Sequence, residues 1–116
     1  MTREEKELLL KDLCGRLSHG VKISVNDKVE TLQGINILDT VVEYDSCLSS
    51  DIEEVKPYLF PLSSMTEEQE KEWRYTLSSD GNITYDTVDW CNENHFDYRG
   101  LIPMGLALDA TGLDIY

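Results

Sequence analysis

Two prolines, Pro57 and Pro61, constrain this chain more than any other feature, because they lie four residues apart within Val55–Thr66. Each proline fixes φ, withholds a backbone N–H and pushes the residue before it towards an extended conformation. We therefore predict that neither a helix nor a central strand runs through this stretch. We interpret residues 55–66 as a strap that closes the seam between two halves, because it also carries large apolar side chains at Tyr58, Leu59, Phe60 and Leu62.

A helix is predicted before the strap, over about residues 3–14. Thr2 and Glu5 have the spacing of a capping box, and leucines follow at helical intervals. Gly15 is a plausible end for this helix. A helix this short is marginal alone in water, so its leucines are expected to pack on a sheet.

Between residue 20 and the strap, the apolar residues alternate as in half-buried strands. Asn26 and Asp27 tolerate positive φ and predict a hairpin turn, and Gly34 predicts a bulge or bend in the second strand. The predicted order is strands at 21–25 and 28–37, a turn at 39–40, a strand at 40–44, a polar loop at 45–50 and a short edge strand at 51–55.

After the strap the pattern becomes helical. Thr66 and Gln69 form a second capping-box pair that predicts a helix over about 66–77, and a third helix is expected over Tyr85–Asn94. The leucines near the end of the chain predict a tail that packs back or forms an edge strand. We thus predict one α+β domain over residues 1–116, with a β-rich half at about 20–55 and a helical half at about 66–105. Its sheet is expected to be small, curved and antiparallel, and an SH3-like partial barrel is compatible with the pattern.

Charge excludes some partners. The chain has 23 acidic and 10 basic residues, a net charge of −13. Such a surface repels the phosphates of nucleic acids and of anionic membranes, so we predict that neither binds directly. The charge is explained by solubility alone or by an acidic face that binds a basic protein.

Cysteine usage bears on the compartment. The chain has three widely spaced cysteines, Cys14, Cys47 and Cys91, which is typical of reduced thiols rather than of a disulfide framework. Its first residues do not resemble a signal peptide, and no apolar run is long enough to span a membrane. We expect a cytoplasmic protein.

Two Cys/His pairs are candidates for a metal site or a catalytic site. Cys14 with His19 and Cys91 with His95 would supply four zinc ligands if the first and third helices met, although the spacings are looser than those of zinc knuckles. The same residues, with an acid such as Asp97, could build a thiol-dependent site. A buried cysteine and a hydrogen-bonded histidine are the more common outcome. No phosphate loop, nucleotide fingerprint or serine elbow is present, so no cofactor is predicted.

The string Asp97–Ile102 contains the most distinctive local pairing, Tyr98 next to Arg99. An arginine in so acidic a region usually has an acidic partner or an aromatic ring to lie on. Tyrosine and arginine also dominate binding hot spots. The candidate partner-binding residues are therefore Tyr58, Phe60, Tyr98 and Arg99.

Four runs of the chain resemble a family of small uncharacterised proteins encoded by gut Bacteroidales bacteria, often within phage or prophage regions. The runs are Lys11–Leu17, Glu54–Leu59, Pro61–Glu68 and Asn94–Ile102. The resemblance implies an accessory protein of a bacterial or phage genome. It brings no activity, cofactor or binding residue with it.

The function predicted from the sequence is a non-catalytic module that binds a protein partner. An acidic mimic of nucleic acid that occupies a nucleic-acid-binding protein is the first alternative. A small cysteine- or carboxylate-dependent enzyme is the second, and no catalytic residue can be named for it.

Overall fold

The structure, a computed structural model, describes residues 1–44 and 48–116. Helices and short strands are mixed along the chain, and the predicted α+β class is confirmed. The elements in order are α1 Arg3–Arg16, β1 Lys22–Val25, β2 Lys28–Asn36, β3 Val41–Tyr44, β4 Leu48–Asp51, β5 Val55–Pro61, α2 Glu67–Thr76, α3 Tyr85–Glu93, β6 Phe96–Asp97 and β7 Leu108–Asp109.

Helix α1 begins as predicted but ends later. Thr2 and Glu5 form both hydrogen bonds of a capping box. The prediction that Gly15 ends the helix is wrong, because α1 continues to Arg16. A Cβ at Gly15 would lie 3.0 Å from the Asn92 side-chain nitrogen of α3. Gly15 therefore allows two helices to approach closely, and the 3-10 turn after α1 ends at Gly20, whose φ of 68° is left-handed.

The first hairpin and the bend in β2 are confirmed. Asn26 and Asp27 both have positive φ, as a two-residue hairpin turn requires. Strand β2 pairs with β1 through its first half and with β3 through its second, and the register shifts between Leu32 and Gly34. The bulge near Gly34 thus lets one strand serve two parts of a curved sheet.

The predictions for residues 48–55 were wrong in part. Residues 48–50 of the predicted loop form strand β4 together with Asp51, and residues 52–54 of the predicted edge strand form a 3-10 turn, so only Asp51 and Val55 of that edge strand are extended. The Asp51 side chain accepts a hydrogen bond from the backbone N–H of Glu53, which caps this turn, and Ile52 is fully buried. Residues 45–47 of the predicted loop, including Cys47, lie outside the described residues.

The prediction that no central strand runs through the strap was also wrong, because its first seven residues are β5. The Leu59 carbonyl accepts a bond from Ala110 N beside β7, and the Tyr58 carbonyl faces the opposite side, towards β1. Successive residues of a strand direct their N–H and C=O groups to opposite edges. Pro57 and Pro61 each lie two residues from Leu59, so the N–H that each proline lacks would have faced β7. Neither proline therefore removes a donor that β5 needs for its pairing with β1.

Strand β5 joins the two predicted halves into one sheet. It pairs antiparallel with β1 and parallel with β6 and β7, so the sheet is mixed rather than purely antiparallel. The strand order is β4-β3-β2-β1-β5-β6, with β7 also on β5, and the sheet is open. Helices α2 and α3 both form where they were predicted. They begin at the capping boxes of Thr66 and Thr84, of which only the first was predicted.

The core lies between α1 and the sheet. Leu9 and Leu13 of α1 have no exposed surface, which confirms that its leucines pack on strands. Their fully or nearly fully buried neighbours are Val21, just before β1, and in the sheet Ile23, Val25, Leu32, Val42, Val55 and Leu59.

Candidate interaction surface

A buried ion cluster accounts for part of the predicted hot spot. Asp12 and Arg16 of α1 have no exposed surface, and Arg16 Nε lies 2.9 Å from Asp12 Oδ2. The Arg16 guanidinium also donates to the backbone carbonyls of Cys91 and Phe96. The Cys91 carbonyl lies near the end of α3, where a helix leaves acceptors without intrahelical donors, and the Phe96 carbonyl lies in β6. One guanidinium therefore satisfies both.

Tyr98 and Arg99 belong to the same cluster. Arg99 Nε lies 3.1 Å from Asp12 Oδ1, and its side chain is 18% exposed. The Tyr98 ring packs against both guanidinium groups, whose Cζ atoms lie 5.3 Å (Arg16) and 4.9 Å (Arg99) from the ring centroid. Arg99 thus has both the acidic partner and the aromatic ring expected for it, and both residues stabilise the fold from within.

Phe60 lies in an aromatic cluster of the chain itself. Its ring contacts those of Phe96 and Tyr116, with centroids 6.0 and 5.7 Å away, and Trp90 stacks on Phe96. A shallow cleft of about 160 Å³ leaves part of Phe60 open. Tyr58, the fourth predicted hot-spot residue, is half-buried and uses its carbonyl internally.

Tyr116 bridges a gap in the sheet. Its hydroxyl accepts a hydrogen bond from Lys22 N (2.8 Å) and donates one to the Tyr58 carbonyl (2.7 Å). The next backbone pair between β1 and β5 would be Lys22 with Tyr58, so one side chain replaces a bond of the ladder. Burial raises the pKa of Tyr116 to about 12, so the hydroxyl stays protonated and can donate its hydrogen bond to the Tyr58 carbonyl.

We expect Tyr116→Phe to lower the free energy of unfolding by about 1–3 kcal/mol, because Lys22 N and the Tyr58 carbonyl lose their shared partner. Tyr75→Phe is the matched control, since Tyr75 is 90% exposed. Urea denaturation of the two variants tests this, and equal stabilities would contradict the bridge.

His95 is neutral because of its surroundings. Burial, and secondarily the charge of Arg16, lower the pKa of His95 to about 4. The ring stacks on Tyr116 at 3.8 Å, and its buried Nδ1 has no hydrogen-bond partner among the described residues. Its backbone carbonyl accepts from Phe60 N at 2.8 Å, so His95 ties the turn after α3 to β5.

The His95 pKa predicts a pH dependence of stability. The unfolded chain binds the proton near pH 6.5 and the folded chain near pH 4, so His95 stabilises the fold fully above about pH 6.5. We expect about 1–3 kcal/mol of this contribution to disappear as the pH falls to about 4.

His95→Asn isolates the effect, because asparagine tolerates the left-handed φ of 63° at this position and does not titrate. The difference in unfolding free energy between wild type and the variant should shrink as the pH falls. A difference that stays constant from pH 7 to pH 4 would contradict the assignment to His95.

The Cys/His residues weighed as zinc ligands gain no support. No three His, Cys, Asp or Glu side chains within residues 1–44 and 48–116 are placed to hold a metal ion. Cys14 is exposed and Cys91 is buried. Burial raises the pKa of the Cys91 thiol to about 11, whereas a nucleophilic cysteine needs the thiolate at neutral pH.

The acidic sheet end, defined as residues 36–44 and 48–54, is the most distinctive surface of the molecule. From Val29 to Val55 the sequence contains seven acidic residues and no Lys or Arg. Glu43 and Asp51 are exposed on β3 and β4, and Glu53 pairs with Lys6 of α1 at 2.9 Å. Ile37 and Leu38, in the turn between β2 and β3, are 63% and 95% exposed.

Strand β4 is the outermost strand at this end. Within the described part of the chain, it pairs with β3 and with no other strand. Leu48, its first residue, is 55% exposed. Ser49 and Ser50 are typical of loops, so this edge was not predicted from the sequence. The absence of Lys and Arg from Val29 to Val55 was the signal that could have indicated it.

Comparisons with known proteins add no relative. No protein-family model, no curated protein and no solved structure matches the chain. The resemblance to the Bacteroidales family therefore stays a prediction. Among the helices in the described residues, none has the length and apolarity needed to cross a membrane.

Proposed function

We propose that this chain is a non-catalytic protein–protein interaction module whose partner binds at the acidic sheet end. The observation that supports this proposal is an edge strand, β4, lying within a stretch that carries no basic residue. An edge strand presents unpaired backbone groups for association. Exposed carboxylates around it attract a basic partner and repel an acidic one.

The four hot-spot residues predicted from the sequence are not the surface that we propose. Arg99 pairs with Asp12, and the Tyr98 ring packs against the Arg16 guanidinium. Phe60 contacts Phe96 and Tyr116, so these three side chains are already used within the fold. The acidic sheet end has exposed apolar side chains beside exposed charges, which is the combination found at interfaces.

A pair of charge variants tests the proposal. Glu43→Gln with Asp51→Asn removes two charges from the acidic sheet end, and Glu68→Gln with Glu72→Gln removes two from the exposed surface of α2. Proteins captured from a bacterial lysate by each variant would be compared with those captured by wild type, at low and high salt.

We expect the sheet variant to lose a basic partner that the α2 variant retains, and higher salt to weaken the wild-type complex. Equal capture by both variants would contradict the proposed location. A partner retained by neither variant would indicate a response to net charge rather than to this surface, and would also contradict it.

The base-free stretch also favours a second candidate, the acidic mimic. In that case the partner is a nucleic-acid-binding protein, and duplex DNA or RNA added to the capture should release it. A partner that stays bound in the presence of nucleic acid excludes mimicry and leaves the interaction module in place.

A further inference from the structure

The hydrogen-bond pattern shows which groups of β4 face outwards. Ile52 N donates to the Thr40 carbonyl at 2.9 Å, so this pair is hydrogen-bonded across β3 and β4. Bonded and non-bonded pairs alternate in an antiparallel ladder. Ser50 therefore bonds to β3, whereas the N–H and C=O of Ser49 and the N–H of Asp51 point away from it. Among the described residues no donor or acceptor meets these three groups.

The two faces of β4 differ in chemistry. Leu48 lies opposite Tyr44, on the face of the sheet that covers the core, and Ser50 lies on the same face with its hydroxyl bonded to the Tyr44 hydroxyl. Ser49 lies opposite Glu43 on the other face, which Asp51 shares. A strand added to this edge would thus place its side chains alternately beside Leu48 on one face and beside the carboxylates of Glu43 and Asp51 on the other.

Charge indicates what the added strand must be. A second copy of this chain would bring its own base-free stretch against the same carboxylates, and like charges across paired strands are destabilising. A strand with lysine or arginine at alternate positions would instead pair with Glu43 and Asp51. Its intervening residues must be apolar to pack beside Leu48.

We infer that the outer edge of β4 binds an extended segment of a partner protein by strand addition, and that this segment alternates apolar with basic side chains. The inference rests on the proposed function and specifies how the partner binds. Backbone bonds to Ser49 and Asp51 would supply affinity, and the alternation would supply register and selectivity.

A labelled synthetic peptide of alternating lysine and valine tests the inference on the full chain, with fluorescence anisotropy as the readout. Its controls are a peptide of the same composition in scrambled order and one that alternates glutamate with valine. Ser49→Pro removes one outward N–H but no bond to β3, a position at which an edge strand tolerates proline. Ser49→Thr is the matched control that keeps the N–H.

We expect the alternating lysine peptide to bind wild type and Ser49→Thr alike, and to bind Ser49→Pro roughly tenfold or more weakly. The scrambled and glutamate peptides should be weaker by a similar factor or more. Equal binding to Ser49→Pro and Ser49→Thr, or equal binding of the scrambled peptide, would overturn strand addition. Either result would leave the charge-dependent partner of the proposed function untouched.

A peptide-side variant keeps the test valid if Ser49→Pro fails to fold. N-methylation at alternate residues removes the N–H groups on one side of the peptide backbone. Methylation on the side that faces β4 should abolish binding, and methylation on the other side should be tolerated. Similar binding by the two methylated peptides would overturn the inference.

Discussion

Replacing Arg16 with methionine should lower the free energy of unfolding by about 3–5 kcal/mol, because it breaks a fully buried ion pair. The variant leaves Asp12 with Arg99 alone and leaves the carbonyls of Cys91 and Phe96 without their donor. Methionine keeps most of the side-chain volume, so the loss reports on charge and hydrogen bonding rather than on a cavity.

Arg74→Met is the matched control for Arg16. It removes another arginine that pairs with an acid four residues earlier on a helix, but the side chains of Arg74 and Glu70 are 68% and 48% exposed. We expect that variant to change stability by less than about 1 kcal/mol. If chemical denaturation gave similar values for the two variants, the buried cluster would not hold α1 against α3 and β6.

Leu59→Ala has the second large expected effect, a loss of about 3–5 kcal/mol in the free energy of unfolding. Leu59 is fully buried in β5, the strand that connects β1 with β6 and β7, so truncation leaves a cavity at the centre of the sheet. Leu62→Ala is the control just beyond the strand, where the side chain is 39% exposed.

The leucine pair distinguishes a central strand from a surface strap. We expect the Leu62 variant to lose less than about 1 kcal/mol, as for most exposed positions. A loss of that size at Leu59 would mean that β5 is not part of the core. Equal losses at both positions would mean that Leu59 is no more deeply buried than a side chain outside the strand, and would contradict a central β5.

Local signals in the sequence were sufficient for the elements that depend on local physics. The capping boxes of Thr2 and Thr66, the turn at Asn26 and the bend near Gly34 were all predicted, since each needs only neighbouring residues. Long-range contacts gave no such local signal. Gly15 lies within α1, and its missing Cβ makes room for Asn92 of a helix distant in sequence.

Strand β5 and the interaction surface show a different limit. Two prolines argue against a central strand unless the side of their missing N–H groups is known, and that side depends on where β1 and β7 lie. Ser49 and Asp51 likewise gain significance from being at an edge, which is a property of the strand order. The Tyr116 bridge depends on Tyr58 and Lys22, which precede Tyr116 by 58 and 94 positions in the sequence.

The most direct test of the open edge is amide hydrogen exchange along β4, measured by NMR with and without the alternating lysine peptide. The account predicts fast exchange at Ser49 and Asp51 and slow exchange at Ser50 in the free protein, with Ser49 and Asp51 slowed by the peptide. Ser49 and Asp51 amides as protected as Ser50 in the free protein, or unchanged by the peptide, would contradict an open edge that binds a partner strand.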